Sequence, residues 1–369
     1  MIGIDAHHAN KLVKTGTEWY TFDLLRTLPR VDTADTFRFY TPSPLDPALF
    51  ETGANVENSI LQWPPRRLWT QIRLSLEMFM RPPDALFVPA HAIPLVHPNN
   101  TVTTLHDVGF ARLPALYTRF ERVYNTMTTT FALRTAKKII VPSEFTKQEI
   151  LECYPSADPD KLIVIHHGFA RERFTTHADS AMLAAIKQRF HIKRPYLLFI
   201  GRLQYKKNIP RLIKAFSIVR NGFGLDLDLV LAGKPDFGFD ETAKLIHEHN
   251  LQDRIHTLGY TPDHDRAILM HGAAAFVFPS LYEGFGIPIL EAQASNTPVL
   301  TSTTSCLPEI AGDGALFVNP LSETEIAEGI RSIVSDEKLR EHLRAAGNAN
   351  LDRFRWDDCA RATLEVICQ

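Results

Sequence analysis

At 369 residues the chain exceeds the size at which a single hydrophobic core keeps growing, so two domains are expected. Hydrophobic residues at 45% and charged residues at 22% are the balance of a globular enzyme, which excludes a disordered or fibrous chain. A net charge of −2 offers no general field for nucleic acid, and that partner class is excluded as well.

The chain opens with Met-Ile-Gly-Ile-Asp-Ala, a first strand, followed by a turn over 13–16 and a helical repeat through Trp19, Phe22, Leu25 and Leu28. Strand, glycine-bearing loop and helix form the first unit of a doubly wound sheet. Further strands are expected at 37–40, 85–88, 101–105, 138–141 and 162–165, with helices at 68–80, 120–136 and 144 onwards. Ser143 is the expected N-cap of the last of these. No charged n-region precedes an apolar stretch, and no apolar run approaches roughly 18 residues, so neither a leader nor a membrane span is expected. The scattered Cys153, Cys306, Cys359 and Cys368 have no metal-ligand spacing, and reduced thiols in a cytoplasmic protein are expected.

Residues 168–195 are polar around one short helix at 182–190, and the domain boundary falls there. The alternation then restarts. Strands are expected at 196–200, 227–231, 255–258, 274–278, 299–301 and 315–318, and helices at 209–219, 240–249, 263–271, 323–334 and 338–350. The domains are therefore 1–172 and 173–352, with a terminal helix in 353–369 that packs back toward the first. The fold class is α/β, two Rossmann-like doubly wound domains facing across a cleft.

Neither GxxxxGK[ST] nor GxGxxG after the first strand occurs, so a P-loop nucleotidase and a common dinucleotide fold are excluded. The most informative stretch is 276–294, a buried strand, a turn through Gly284, Phe285 and Gly286, and a helix opening at Ile287-Pro288. Amides at a helix start make an anion site, yet Glu283 and Glu291 flank it. A ligand carrying both phosphates and hydroxyls reconciles the two, as a nucleoside-diphosphate sugar does.

Arg202 and Lys207 follow the first strand of the second domain, where a diphosphate would need neutralising; a solvated basic loop is the alternative. Gly233, Lys234 and Tyr260 close two further strand ends, and are either the edge of a base pocket or ordinary packing. In the first domain His106 ends a strand beside Asp107, and is either a group at the reacting centre or a satisfied core histidine. Gly16, in Thr15-Gly16-Thr17, is either a phosphate-reaching amide or a plain connection.

The segment 62–81 carries Trp63, Arg66, Arg67, Trp69, Arg73 and Arg81 against Glu77, with Leu68, Ile72, Leu76 and Phe79 on one face. Such a helix either lies on an anionic membrane surface, placing the protein at the inner face of the membrane, or turns its apolar face to the domain core.

With these residues in view, the chain resembles the retaining glycosyltransferases of family 4, of GT-B fold. The resemblance rests on Glu283 and Glu291 in Pro-Ser-Leu-Tyr-Glu-Gly-Phe-Gly-Ile-Pro-Ile-Leu-Glu-Ala, on Gly201-Arg202 followed by Lys207, on Leu-Pro-Glu-Ile-Ala-Gly-Asp at 307–313, and on Val-Pro-Ser-Glu-Phe at 141–145. It implies an acceptor-binding first domain and a donor-binding second. Glu291 would bond the donor ribose, and the amides of Gly284, Phe285, Gly286 and Ile287 would meet the sugar and phosphate. Arg202 and Lys207 would neutralise the leaving diphosphate, assisted by Gly16, while Glu283 and His106 would contact the sugar. No metal or other cofactor is implied. The opening Ile-Gly-Ile-Asp-Ala with Thr-Gly-Thr-Glu-Trp-Tyr is similar to mannosyl- and glucosyltransferases of polysaccharide assembly, implying GDP-mannose, then UDP-glucose, as donor and a glycan or lipid-linked acceptor. Asn208 and Asn296 stand where many relatives carry glycine, and are expected to narrow the donor pocket. A phosphorylase, a sugar-nucleotide epimerase and a non-catalytic binder are the alternatives.

Overall fold

Every strand pairing described is parallel in a computed structural model of the chain, which describes residues 1–11, 14–50, 55–63, 68–174, 180–236 and 238–369. The chain divides into two compact units, Met1–Gly168 with Phe354–Gln369, and Phe169–Arg353. Among the described residues the first unit holds a seven-stranded sheet of β1 (Ile2–Asp5), β2 (Phe37–Thr41), β3 (Val56–Ile60), β4 (Ala85–Val88), β5 (Thr101–Thr104), β6 (Lys138–Val141) and β7 (Leu162–Val164). The second holds β8 (Tyr196–Ile200), β9 (Asp228–Ala232), β10 (Ile255–Gly259), β11 (Ala275–Phe278), β12 (Val299–Ser302) and β13 (Ala315–Val318).

The strand orders are β3-β2-β1-β4-β5-β6-β7 and β10-β9-β8-β11-β12-β13. Each sheet is wound outward in both directions from a pair that is adjacent in space but not in sequence, β1 with β4 and β8 with β11. Strands buried on both faces by helices must be apolar throughout, and Tyr196–Ile200 and Ala275–Phe278 are wholly buried. β3, by contrast, is the edge sequence Val-Glu-Asn-Ser-Ile, too polar to stand out as a strand, and it pairs with β2 in register Phe37↔Val56.

The last helix, Trp356–Cys368, belongs to the first unit although the second separates it in sequence. Cys359, Ala360, Leu364 and Ile367 share a buried cluster with Ile2, Leu24 and Leu25. A Cβ on Gly168 would lie 2.3 Å from the Trp356 ring, so the chain leaves β7 through a glycine that lets this helix seat.

Of the two orientations open to the helix at 68–80, the one that packs the face of Leu68, Ile72, Leu76 and Phe79 on the domain core is not adopted. Leu68, Ile72, Leu76 and Phe79 are exposed, while Trp69, Leu74 and Met78 are buried. The reason is a change of period: Trp69–Leu74 is wound as a π-helix before Ser75–Met80 continues as α-helix, so residues five apart, Trp69 and Leu74, share the inner face. Arg66 and Arg67 lie outside the described residues. Among the described residues no helix is long and apolar enough to cross a membrane.

Candidate active site

In an open parallel sheet, ligands bind beyond the carboxyl ends of the strands where the winding reverses. In the second unit that point lies between β8 and β11. The loop after β8 carries Arg202 and Lys207, and the loop after β11 carries Glu283 and Gly286. The two expected charge sites are thus brought to one place by topology. Backbone bonds lace them: the Leu281 amide donates to Lys206 O at 2.9 Å.

Lys207 Nζ and Glu283 Oε1 form an ion pair, both side chains being largely buried. Lys207 Nζ also lies 5.0 Å from the centroid of Phe278. The lysine and glutamate thus neutralise one another here. Arg202 is exposed, and its Nη1 lies 3.8 Å from Asp236 Oδ2.

The glutamate loop is held by a residue pair that sequence reasoning passed over. Ser305, in left-handed conformation at φ 66°, accepts the Glu283 amide at 2.8 Å and donates its hydroxyl to Glu283 O at 2.6 Å. The neighbouring Cys306 thiol lies 3.2 Å from both Glu283 O and Phe285 O. Burial pushes that thiol well above its ordinary pKa, with the Glu283 carboxylate adding to the rise, so it remains a protonated donor. Gly286 at φ +95° then turns the chain into helix Ile287–Ala294, where Pro288 fits because first-turn amides have no intrahelical acceptor.

Glu291 lies on that helix and is buried. Its Oε1 accepts from Nη2 of Arg266, a residue of helix Asp263–His271 that was not among the expected site residues. Burial works against the Arg266 charge, but Glu291 and Asp263 outweigh it and hold the guanidinium pKa above its ordinary value.

Gly233 and Gly259 bridge the ends of β9 and β10, and Leu203 N donates to Lys234 O at 2.9 Å. A Cβ on Gly233 would lie 1.8 Å from Gly201 O, so only glycine fits that approach. Lys234 Nζ stands 5.4 Å from the centroid of the half-exposed Tyr260 ring.

Asn208 corrects the expectation that it narrows the pocket. It is 1% exposed, adopts φ 62°, and its side-chain amide donates to Pro279 O at 3.0 Å and Pro320 O at 2.6 Å. Asn296 likewise takes a left-handed conformation, φ 57°, and its Oδ1 accepts from Asn348. Both occupy the conformation that favours glycine, and both spend their side chains within the protein.

In the first unit His106 follows β5. Its Nε2 lies 3.0 Å from Pro89 O and its Nδ1 3.3 Å from His167 Nε2. A carbonyl only accepts, so His106 carries its proton on Nε2, and Nδ1 accepts from His167. Burial, with His91 adding repulsion, lowers the His106 pKa to about 4, and burial also lowers that of His167, so both rings are neutral near pH 7. His167 was missed; its only signal was the doublet His166-His167 after β7. Asp107 Oδ1 accepts the Gly109 amide at 2.9 Å, just ahead of the short helix Gly109–Arg112.

Gly16 opens helix Gly16–Val31, is exposed, and a Cβ there would meet nothing within 4 Å. Two residues on, Glu18 accepts the Thr15 amide at 3.1 Å and Lys11 Nζ at 2.8 Å, and its pKa is lowered. Burial opposes that shift, but the bonds from His8, Lys11 and Thr15 overcome it. Among the described residues no group of three or more His, Cys, Asp or Glu is arranged as a metal site.

Residues 14–173 match the model of Glycosyltransferase Family 4, and residues 184–349 that of Glycosyl transferases group 1. O-antigen chain mannosyltransferase B of Escherichia coli is 29% identical over 267 residues, covering 72% of this chain and 69% of that one. The structure of WaaG, a glycosyltransferase involved in lipopolysaccharide biosynthesis, superposes with a TM-score of 0.77 at 15% identity, covering 100% of this chain and 99% of that one. Anabaena Alr3699/HepE in complex with UDP-glucose gives 0.74 at 17% identity, covering 100% and 98%. Two doubly wound parallel sheets, the Glu283 and Glu291 loop and helix at a winding reversal, and both family models lead to one assignment: the chain belongs to the glycosyltransferases of family 4, with the GT-B fold.

Proposed function

We propose that this glycosyltransferase is a metal-independent, retaining hexosyltransferase of polysaccharide assembly. It moves a hexose from a nucleoside-diphosphate sugar, GDP-mannose ahead of UDP-glucose, to a hydroxyl of a glycan or lipid-linked acceptor. The observation that carries the reading is the convergence, at the β8/β11 reversal, of Lys207, Glu283 and the first turn of the helix that bears Glu291. The mannosyl donor is favoured by the O-antigen mannosyltransferase relative, and the use of a nucleotide sugar by the UDP-glucose bound to the Anabaena neighbour.

In this reading Glu291 bonds the ribose, and Gly233, Lys234 and Tyr260 edge the base. Arg202, Lys207 and the Gly16 amide take up the diphosphate charge, a role a metal fills elsewhere. The amides of Gly284, Phe285, Gly286 and Ile287 meet the sugar and phosphate. Donor entry breaks the Lys207–Glu283 pair, freeing the lysine for phosphate and the glutamate for sugar hydroxyls. His106 meets the sugar by exchanging its longer bond, that to His167. The acceptor oxygen then bonds the anomeric carbon on the face from which the carbon–oxygen bond to phosphate breaks, and its proton passes to the departing phosphate oxygen. The exposed Leu68, Ile72, Leu76 and Phe79 support peripheral contact with the inner face of the membrane, the protein being cytoplasmic.

Thermal shift and calorimetry with GDP, UDP and ADP, each with and without its sugar, test the donor, since a bound nucleotide raises stability with its concentration over Kd. A GDP-mannose-dependent product whose new linkage keeps the donor's anomeric configuration is the expected result. Absence of binding by any of the nucleotides, or an inverted linkage, would sink the reading.

A further inference from the structure

We infer that Arg266 is a positioning residue for donor recognition: it ties one oxygen of Glu291 and thereby presents the other to a ribose hydroxyl. The inference rests on the reading of Glu291 as the ribose-binding group, and assigns to Arg266 the part of making that group a single, directed acceptor.

The geometry is a one-point contact. Arg266 Nη2 donates to Glu291 Oε1, while Nη1 is held at 3.1 Å by Asp263 Oδ1 of the same helix. The guanidinium carbon stands 5.9 Å from the Phe174 ring centroid, so the fork is fixed on a second side by an aromatic face. A two-point fork, which arginine forms readily with a carboxylate, would consume both oxygens. Here Glu291 Oε2 is buried and has no hydrogen-bond partner among the described residues, and the same is true of Arg266 Nε. The side chains are only 8% and 17% exposed. A buried carboxylate oxygen without a donor is costly, and a ligand hydroxyl removes that cost. Glu291 without Arg266 would be an unpaired desolvated charge, free to rotate toward any other donor.

The chemical class read by such an oxygen is the hydroxyl pair of a ribose, and the test compares ribose with its dideoxy form. Calorimetry measures Kd of GDP and UDP, and of their 2′,3′-dideoxy counterparts, for the full chain, Arg266→Met, Arg266→Lys, Glu291→Gln and the Met/Gln double variant. Losing one hydrogen bond to a charged group predicts that Arg266→Met weakens the ribonucleotide about tenfold while the dideoxy nucleotide changes less than about twofold. The double variant should bind no more weakly than Glu291→Gln alone, because the arginine acts through the glutamate. Arg266→Lys keeps a charge without the fork; it should recover part of the ribonucleotide loss, and it carries the test should Arg266→Met fail to fold. Equal weakening of ribo and dideoxy forms, in Arg266→Met or, where that variant does not fold, in Arg266→Lys, overturns the inference in favour of a general structural role. Unchanged affinity overturns it too. Should the unaltered chain bind neither nucleotide, the reading of Proposed function falls, and this inference with it, a pattern distinct from the other two.

Discussion

The desolvated side chains at the β8/β11 reversal of the unit Phe169–Arg353 are held by ion pairs, whereas His106 and His167, in the unit that begins the chain, are neutral rings held by one another. Lys207 with Glu283 and Arg266 with Glu291 keep four formal charges in nearly buried positions around one sheet reversal. His106 and His167, at the corresponding end of the other sheet, share one proton bond and carry no charge near neutrality. A charge is retained out of water only where a partner answers it, and here each is answered by one of opposite sign. The neutral pair can donate and accept hydrogen bonds without carrying a charge near neutrality.

The contrast can be broken by substitution. The largest effect is expected from Gly233→Ala, where the new methyl meets Gly201 O at 1.8 Å and the φ of +159° is strained for any side chain. The second unit should lose more than about 3 kcal/mol in denaturant unfolding, the scale of strain at such positions. Glu283→Ala should lower transfer by about a hundredfold or more, the range for losing a group placed at the reacting centre, with nucleotide Kd nearly unchanged. Single-turnover assays beside calorimetry check both halves, and unchanged turnover would remove Glu283 from its role.

A pH series sharpens the other side. His106 binds its proton near pH 4 when folded and near 6.5 when unfolded. The unfolded chain therefore holds more protons between those values, so stability falls as pH drops from about 6.5 toward 4 and is flat above that window. The loss amounts to about 3 kcal/mol by pH 4, and comparing urea midpoints with His106→Gln, which lacks that group, measures the contribution. Arg202→Ala, which removes an exposed arginine whose Nη1 lies 3.8 Å from Asp236 Oδ2, should weaken nucleoside-diphosphate binding by about tenfold in calorimetry. Smallest is Gly16→Ala: nothing lies within 4 Å, so stability should change by less than about 1 kcal/mol. A fall in transfer without a fall in stability would mark Gly16 as facing substrate.

What was legible in the sequence follows from where its signals are local. Strands such as 196–200 and 275–278 announce themselves as unbroken apolar runs, and the loop from Glu283 to Glu291 sits in one continuous stretch. The partners of those two carboxylates lie 76 and 25 residues away and leave no mark on their neighbours, so the sequence suggests a phosphate role for Lys207 but not its pairing with Glu283, and nothing in it singles out Arg266. β3 is hidden because an edge strand needs no apolar run, and the inner face of 68–80, Trp69 with Leu74, is hidden because a π turn breaks the 3.6-residue period. Asn208 looked like a wall of the pocket because a sequence gives the residue type but not its φ.

Asn208 also ties together three segments of the second unit. One buried amide closes the loop after β8, the start of the loop after β11 and the chain beyond β13, through Pro279 O and Pro320 O. Opening any one of them strands a buried donor, so the three should open as a single cooperative unit. Backbone amides around 203–208, 281–286 and 321–322 should then exchange with solvent at a common limiting rate, and a nucleotide that touches only the first two should slow the third.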